Sequence, residues 1–137
     1  MSKKTCGIFL MTKQGSFLLL KKTRNNKYDI PKGQMEDAHE NNELKCAFDE
    51  LKQETGISYD DVKLDPNFRY EYEDNEGKKV IFLGWLKTER IITLSSEHIE
   101  YKWEKWNPPH NIRKGWLNSL LKQLNKYFEN HPESKYF

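Results

Sequence analysis

Residues 31–57 read PKGQMEDAHENNELKCAFDELKQETGI, and the second half of this stretch has the spacing of a helix. Leu44, Ala47, Phe48 and Leu51 fall at i, i+3, i+4 and i+7, which predicts a helix over Glu43 to Thr55 that buries this face. Asn41 or Asn42 can cap its start, and Gly56 stands where a helix-ending glycine is expected. On the same wheel Glu43, Glu50 and Glu54 form one narrow stripe bordering the apolar face, so these carboxylates sit at the edge of the core. Carboxylates stacked a turn apart repel one another. A hard divalent cation such as Mg²⁺, which takes oxygen ligands, removes that penalty. The plainer alternative is a solvated helix face countered by Lys45 and Lys52. The upstream turn Pro31-Lys32-Gly33 favours chemistry, because its backbone can approach an anion and Lys32 can meet a phosphate.

Outward from this segment the chain alternates short strands and turns. Cys6 to Met11 and Ser16 to Leu20 are apolar runs split by the polar turn Thr12 to Gly15, which read as a hairpin or as two adjacent strands. Lys21 to Lys27 is a basic loop, and Tyr28 to Gly33 a turn punctuated by proline and glycine. Phe68 to Glu73 alternates aromatic and charged residues like a half-buried strand, Asp74 to Gly77 turns, and Lys79 to Leu86 returns. Lys102 to Trp106 is a short aromatic strand. Arg113 to Phe128 is an amphipathic helix with Trp116, Leu117, Leu120, Leu121, Leu124 and Phe128 facing inward. This order predicts an α+β fold, an α/β/α sandwich in which helices flank a mixed β-sheet, as a single domain over residues 1–137.

Composition excludes several classes. Of 137 residues 36% are hydrophobic and 32% charged, which fits neither a membrane protein nor a disordered chain. No apolar run approaches the roughly 20 residues of a spanning helix. Cys6 and Cys46 have no metal-ligand spacing and make no disulfide framework. A net charge of +2 creates no global field that demands nucleic acid. A cytoplasmic monomer is expected, with no membrane partner.

Gly33 to Ile57 resembles the Nudix box, whose pattern is G-x5-E-x7-R-E-U-x-E-E-x-G-U with U aliphatic. The run Glu50-Leu51-Lys52-Gln53-Glu54-Thr55-Gly56-Ile57 fills its second half with one exception. Four further stretches resemble the asymmetric diadenosine tetraphosphate hydrolases of that superfamily: Cys6-Gly7-Ile8, Phe17 to Leu20, Tyr28 to Gly33, and Leu94-Ser95-Ser96-Glu97-His98 with Tyr101-Lys102-Trp103. The resemblance implies a nucleotide substrate and a Mg²⁺ (or Mn²⁺) cofactor held by Glu50, Glu54, Gln53 and the Lys32 carbonyl. It implies catalytic roles for Glu50, Glu54 and Glu97. Substrate contacts would come from the Lys32 side chain, His98, and Phe82 and Tyr101 as aromatics flanking an adenine; Arg69 and Lys79 could extend the phosphate patch.

The reaction implied is hydrolysis of a pyrophosphate linkage in a nucleoside diphosphate derivative, with a dinucleoside polyphosphate such as diadenosine tetraphosphate as first choice. The rivals are action on an RNA 5′ end, for which Lys102, Lys105, Trp106, Arg113 and Lys114 form a basic, aromatic region, and a catalytically impaired domain that binds nucleotides. The impairment is suggested by departures from the pattern. The box is two residues too long, so its first glutamate is placed at Glu40, with Glu36 and Glu43 as rivals. Asp49 replaces the box arginine and is expected to be a solvated partner of Lys45 and Lys52. Gln53 replaces a glutamate, keeping an oxygen but losing the charge.

Overall fold

The apolar run after Lys3 has no polar face to spare, so its strand must be covered on both sides. In the computed structural model, which describes residues 3–110 and 115–136, Cys6 and Ile8 to Met11 are buried in β1 (Lys4–Met11). A turn with Gly15 at φ 86° leads into β2 (Ser16–Lys22). β1 and β2 pair only at Met11↔Phe17 and then splay apart. Two short strands fill the gap: β3 (Tyr28–Asp29) lies against β2 and β4 (Lys32–Gln34) against β1. Gly7 permits this approach, since a Cβ there would lie 2.5 Å from the Pro31 carbonyl oxygen and from the Lys32 Cβ. The segment read as a punctuated turn is thus a pair of strands, built by partners far away in sequence.

The helix α1 (Glu43–Thr55) has the predicted bounds. The Asn42 side chain accepts from the Lys45 N–H, and Gly56 at φ 81° closes the helix with its N–H donating to the Lys52 carbonyl. Then come β5 (Val62–Asp74), β6 (Gly77–Leu86), β7 (His98–Lys105) and α2 (Gly115–Asn130). β6 runs parallel to β1, β5 antiparallel to β6, and β7 antiparallel to β2, which makes the sheet mixed. Residues 111–114, including the expected helix start at Arg113 and the basic Lys114, lie outside the described residues.

Alternation along the strands sorts side chains into two cores. Phe9, Phe17, Leu19, Ile81, Leu83 and Trp85 meet Trp116, Leu117, Leu120, Leu121, Leu124 and Phe128 of α2. Ile8, Leu10, Leu18, Leu20 and Val80 meet Cys46, Ala47, Phe48 and Leu51 of α1 on the opposite face. Each fully buried Leu, Ile or Phe contributes about 1.5–3 kcal/mol to holding these layers together. Among the described residues no helix is long and apolar enough to cross a membrane.

Two strands begin earlier than their patterns suggest, each because of a register shift. β5 starts at Val62, and its pairing slips between Leu64 and Arg69, around Asp65-Pro66-Asn67. The buried Asp65 accepts from Tyr127 Oη at 2.8 Å, from the Asn67 N–H at 2.9 Å and from Ser134 Oγ, so the carboxylate is satisfied there. β7 starts at His98, with a shift where Lys21↔Glu100 gives way to Lys22↔His98. That extra residue matters: strict alternation from Trp103 and Tyr101 would turn His98 away from α1, and the bulge turns it back.

Candidate active site

Glu54 is the last acidic residue of α1, and its side chain is buried. In the pairing of β4 with β1, Lys32 lies opposite Gly7, flanked by pairs whose backbone bonds include Ile8 N–H to Pro31 O and Met35 N–H to Lys4 O. Lys32 therefore directs its own N–H outward. It donates to Glu54 Oε1 at 3.0 Å. Glu54 Oε2 faces His98 Nε2 at 3.7 Å.

Glu50, one turn earlier, is half-buried and lies directly over Gly33. A Cβ on Gly33 would come within 2.0 Å of the Glu50 carboxyl carbon. The glycine of the upstream turn is therefore required by the carboxylate of the helix, two residues separated by half the segment.

Among the described residues, neither carboxylate has a lysine or arginine in contact. Burial, the Glu50 charge beside it and the Glu97 charge push Glu54 up to about 8, against the opposing Lys32 N–H and the Lys32 charge. Burial, then Glu36 and Glu97, also raise Glu50. His98 is lowered, chiefly by burial, and its Nδ1 has no hydrogen-bond partner. Near pH 7 the Glu54–His98 contact is thus between two mostly neutral groups rather than an ion pair.

A cleft of about 430 Å³ opens where β1 and β2 diverge, and Lys22, Arg24, Lys32, Glu54, Glu97 and His98 line it. Lys32 Nζ lies 2.8 Å from the buried Asp29, which Lys22 also approaches at 3.5 Å. The same ammonium is 5.5 Å from the Trp116 ring centre, and Lys79 Nζ is 5.6 Å from it. A lysine ammonium has three donors, so Asp29 alone does not exhaust Lys32.

The structure thus gathers Lys32, Glu50, Glu54, Glu97 and His98. It does not bring Phe82 and Tyr101 together. Phe82 packs half-buried under α1, whereas Tyr101 is exposed on β7 beside a separate groove. β1 and β2 lie between their strands and are splayed apart at this level, so the two aromatics stand more than two strand spacings, over about 10 Å, apart. Gln53 is exposed on α1.

Three expectations about the segment change. Glu40 is exposed and left-handed at φ 52°, whereas Glu36 is the candidate whose charge reaches Glu50. Glu43 leaves the stripe's chemistry, because Lys4 at 2.9 Å and a two-pronged contact from Arg69 neutralise it. Asp49 is not a solvated partner of Lys45 and Lys52; its Oδ2 lies 3.1 Å from Nε2 of the buried His39. Arg69 is paired with Glu43 and Glu71, and Lys79 with Asp74.

Sequence reasoning missed Lys22, Arg24, Asp29, His39 and Trp116. Asp29 and Lys32 at i, i+3 were a visible signal within a quoted motif. Trp116 was counted only as core, and His39 has no local pattern because its partner lies on another element.

The NUDIX domain family model matches residues 1–128. The fold is similar to that of C. elegans Ap4A hydrolase in a binary complex, at TM-score 0.82 and 20% identity, covering 92% of this chain and 98% of that one. A second structure of C. elegans Ap4A hydrolase gives 0.72 at 22% identity, with 93% and 99% covered. The E. coli dihydroneopterin triphosphate pyrophosphohydrolase gives 0.70 at 19%, with 88% and 92% covered. A comparison with curated proteins finds no match.

Proposed function

The chain belongs to the NUDIX domain family, and from that premise we propose that it hydrolyses a pyrophosphate linkage in a nucleoside diphosphate derivative, with a dinucleoside polyphosphate as the preferred substrate. The observation that carries this reading is the buried Glu54 with the half-buried Glu50 one turn away, neither carboxylate touched by a lysine or arginine among the described residues, at a cleft that Glu54 lines with Lys22, Arg24 and Lys32. Buried carboxylates held away from their ordinary titration mark functional sites more often than structural ones. The similarity in fold to an Ap4A hydrolase supports the choice of substrate.

Among the described residues no three His, Cys, Asp or Glu side chains already form a cluster that could hold an ion. Mg²⁺ is commonly held by one or two carboxylates, with water and substrate phosphate oxygens completing the set, and Glu50 and Glu54 fit that donor chemistry. Such an ion neutralises phosphate charge and lowers the pKa of bound water. Gly33 leaves the room that Glu50 needs, and the Lys32 N–H fixes Glu54 so that its second oxygen faces the cleft. Lys22, Arg24 and Lys32 draw in the polyphosphate. Glu97, exposed on the lining of that cleft, would take a proton from the attacking water.

An RNA 5′ end is the second reading, favoured by one observation. The bulge in β7 puts His98 of the cleft and Tyr101 and Trp103 on one face, and the latter two line a groove of about 840 Å³ with Lys13, Lys87 and Arg90. Exposed aromatics beside cations suit a trailing single strand. A Mg²⁺-dependent hydrolysis panel of dinucleoside polyphosphates, nucleotide sugars, nucleoside triphosphates and 5′-triphosphate RNA tests both. The first class should be cleaved fastest, and excess chelator should abolish turnover. Undiminished activity in chelator, or nucleotide binding without turnover, would overturn the proposal.

A further inference from the structure

This chain departs from the box pattern in two ways, an aspartate at the arginine position and two surplus residues, and the structure joins them. The surplus is taken up by a turn, Asp37–His39, followed by two left-handed residues, Glu40 at φ 52° and Asn41 at φ 62°, before Asn42 caps α1. The turn delivers His39 into a buried position against α1. The Glu36 backbone N–H donates to His39 Nδ1 at 2.9 Å. A backbone amide can only donate, so Nδ1 must carry a lone pair and the ring proton must sit on Nε2. Nε2 then faces Asp49 Oδ2, 3.1 Å away. One neutral ring is thus bonded to the loop at one nitrogen and in contact with the helix at the other.

Resting on the function proposed above, we propose that His39 is a positioning residue that, with Asp49, replaces the box arginine, holding the 33–36 loop, whose Gly33 lies against the Glu50 carboxyl, to α1. An arginine would bring charge to orient the glutamates. Here Asp49 brings the opposite charge, which works against ionised Glu50. The Nε2–H group faces the Asp49 carboxylate across that 3.1 Å contact. The longer loop and the aspartate are therefore one compensated change, and the aspartate alone does not indicate a dead site.

The test uses the full chain and four readouts: Mn²⁺ binding by calorimetry, hydrogen exchange of the Glu36 amide, the ¹⁵N shifts of the His39 ring, and hydrolysis. In the wild type the ring shifts should show the Nε2–H tautomer and the Glu36 amide should be protected. His39→Leu should release that amide and weaken Mn²⁺ roughly 10–100-fold, the usual cost of losing an orienting outer contact. His39→Gln, which keeps one acceptor and one donor, should retain most of both. Asp49→Arg, although it restores the box letter, should weaken Mn²⁺, because Nε2–H would then face another donor.

Wild-type Mn²⁺ affinity and Glu36 protection in His39→Leu, an Nδ1–H tautomer, or tighter Mn²⁺ binding in Asp49→Arg would each overturn the inference. A wild type that binds no Mn²⁺ and cleaves nothing would instead sink the proposed function. The ring tautomer and the Glu36 amide would still decide the clamp.

Discussion

The two ends of α1 carry glutamates on one stripe and treat them in opposite ways. At the N-terminal end, burial would raise Glu43, yet hydrogen bonds from Lys4 and Arg69 hold its carboxyl below the ordinary range. At the C-terminal end, burial raises both Glu50 and Glu54, helped by the Glu36 and Glu97 charges at the first and the Glu50 and Glu97 charges at the second, and among the described residues no lysine or arginine touches either. One residue type on one helix is thus structural where partners converge and chemically poised where they do not. What separates them is the flanking structure: β1 and β5 bring Lys4 and Arg69 into contact with Glu43, while β4 meets the other end with a backbone N–H and a glycine and sends the Lys32 ammonium to Asp29 instead.

The largest expected effect tests the poised end. Glu54→Gln keeps an oxygen for the Lys32 N–H but removes the charge, and should lower kcat/KM by at least roughly a thousandfold, several kcal/mol of barrier. It should also change stability in a pH-dependent way. The folded protein holds the Glu54 proton up to about pH 8, whereas an unperturbed carboxyl releases it near 4.5. Metal-free stability from this group is therefore complete below pH 4.5 and is lost as pH rises through 8. Melting curves of the metal-free wild type should fall across that window, and those of Glu54→Gln should fall less. A steeper fall in the variant would show that Glu54 is ionised in the fold.

Gly33→Ala comes next. The clash is with the movable end of Glu50, and Gly33 has no positive φ to preserve, so the melting temperature should change little. Displacing the carboxylate by about an ångström should cost roughly 100-fold in rate. A stable variant with wild-type kinetics would remove Glu50 from the site.

Glu43→Gln sharpens the contrast from the structural end. It should lose about 1 kcal/mol of stability, a partly screened ion-pair value, with kcat/KM unchanged. Thermal unfolding beside a rate assay checks both halves. The smallest effect belongs to the exposed Gln53. Gln53→Glu adds a charge near a site that two carboxylates already serve, and should lower the half-saturating Mg²⁺ less than about tenfold. A larger gain would mean that the natural glutamine leaves the site short of a ligand.

Much of this was legible from residues alone. Helix α1 reads correctly to the residue because cap, periodicity and terminating glycine agree, and the inward face of α2 follows from spacing. Strands β3 and β4 were not legible, since Tyr28 to Gln34 becomes extended only by pairing with β1 and β2. The early starts of β5 and β7 were hidden by Asp65-Pro66-Asn67 and by the bulge beside His98. In the site, the spacing of Glu50 and Glu54 was visible, but the neutralisation of Glu43 and the pairing of Asp49 with His39 depend on elements brought together by folding.

The most direct test of the contrast is proton-linked metal binding. Because Glu54 holds its proton near neutrality and a metal ligand must give it up, Mn²⁺ binding at pH 7 should release protons. Calorimetry in buffers of differing ionisation enthalpy counts them. The wild type and Glu43→Gln should bind Mn²⁺ alike and release close to one proton per ion, while Glu54→Gln should bind weakly and release almost none. Binding without proton release in the wild type, or loss of binding in Glu43→Gln with Glu54→Gln unaffected, would contradict it.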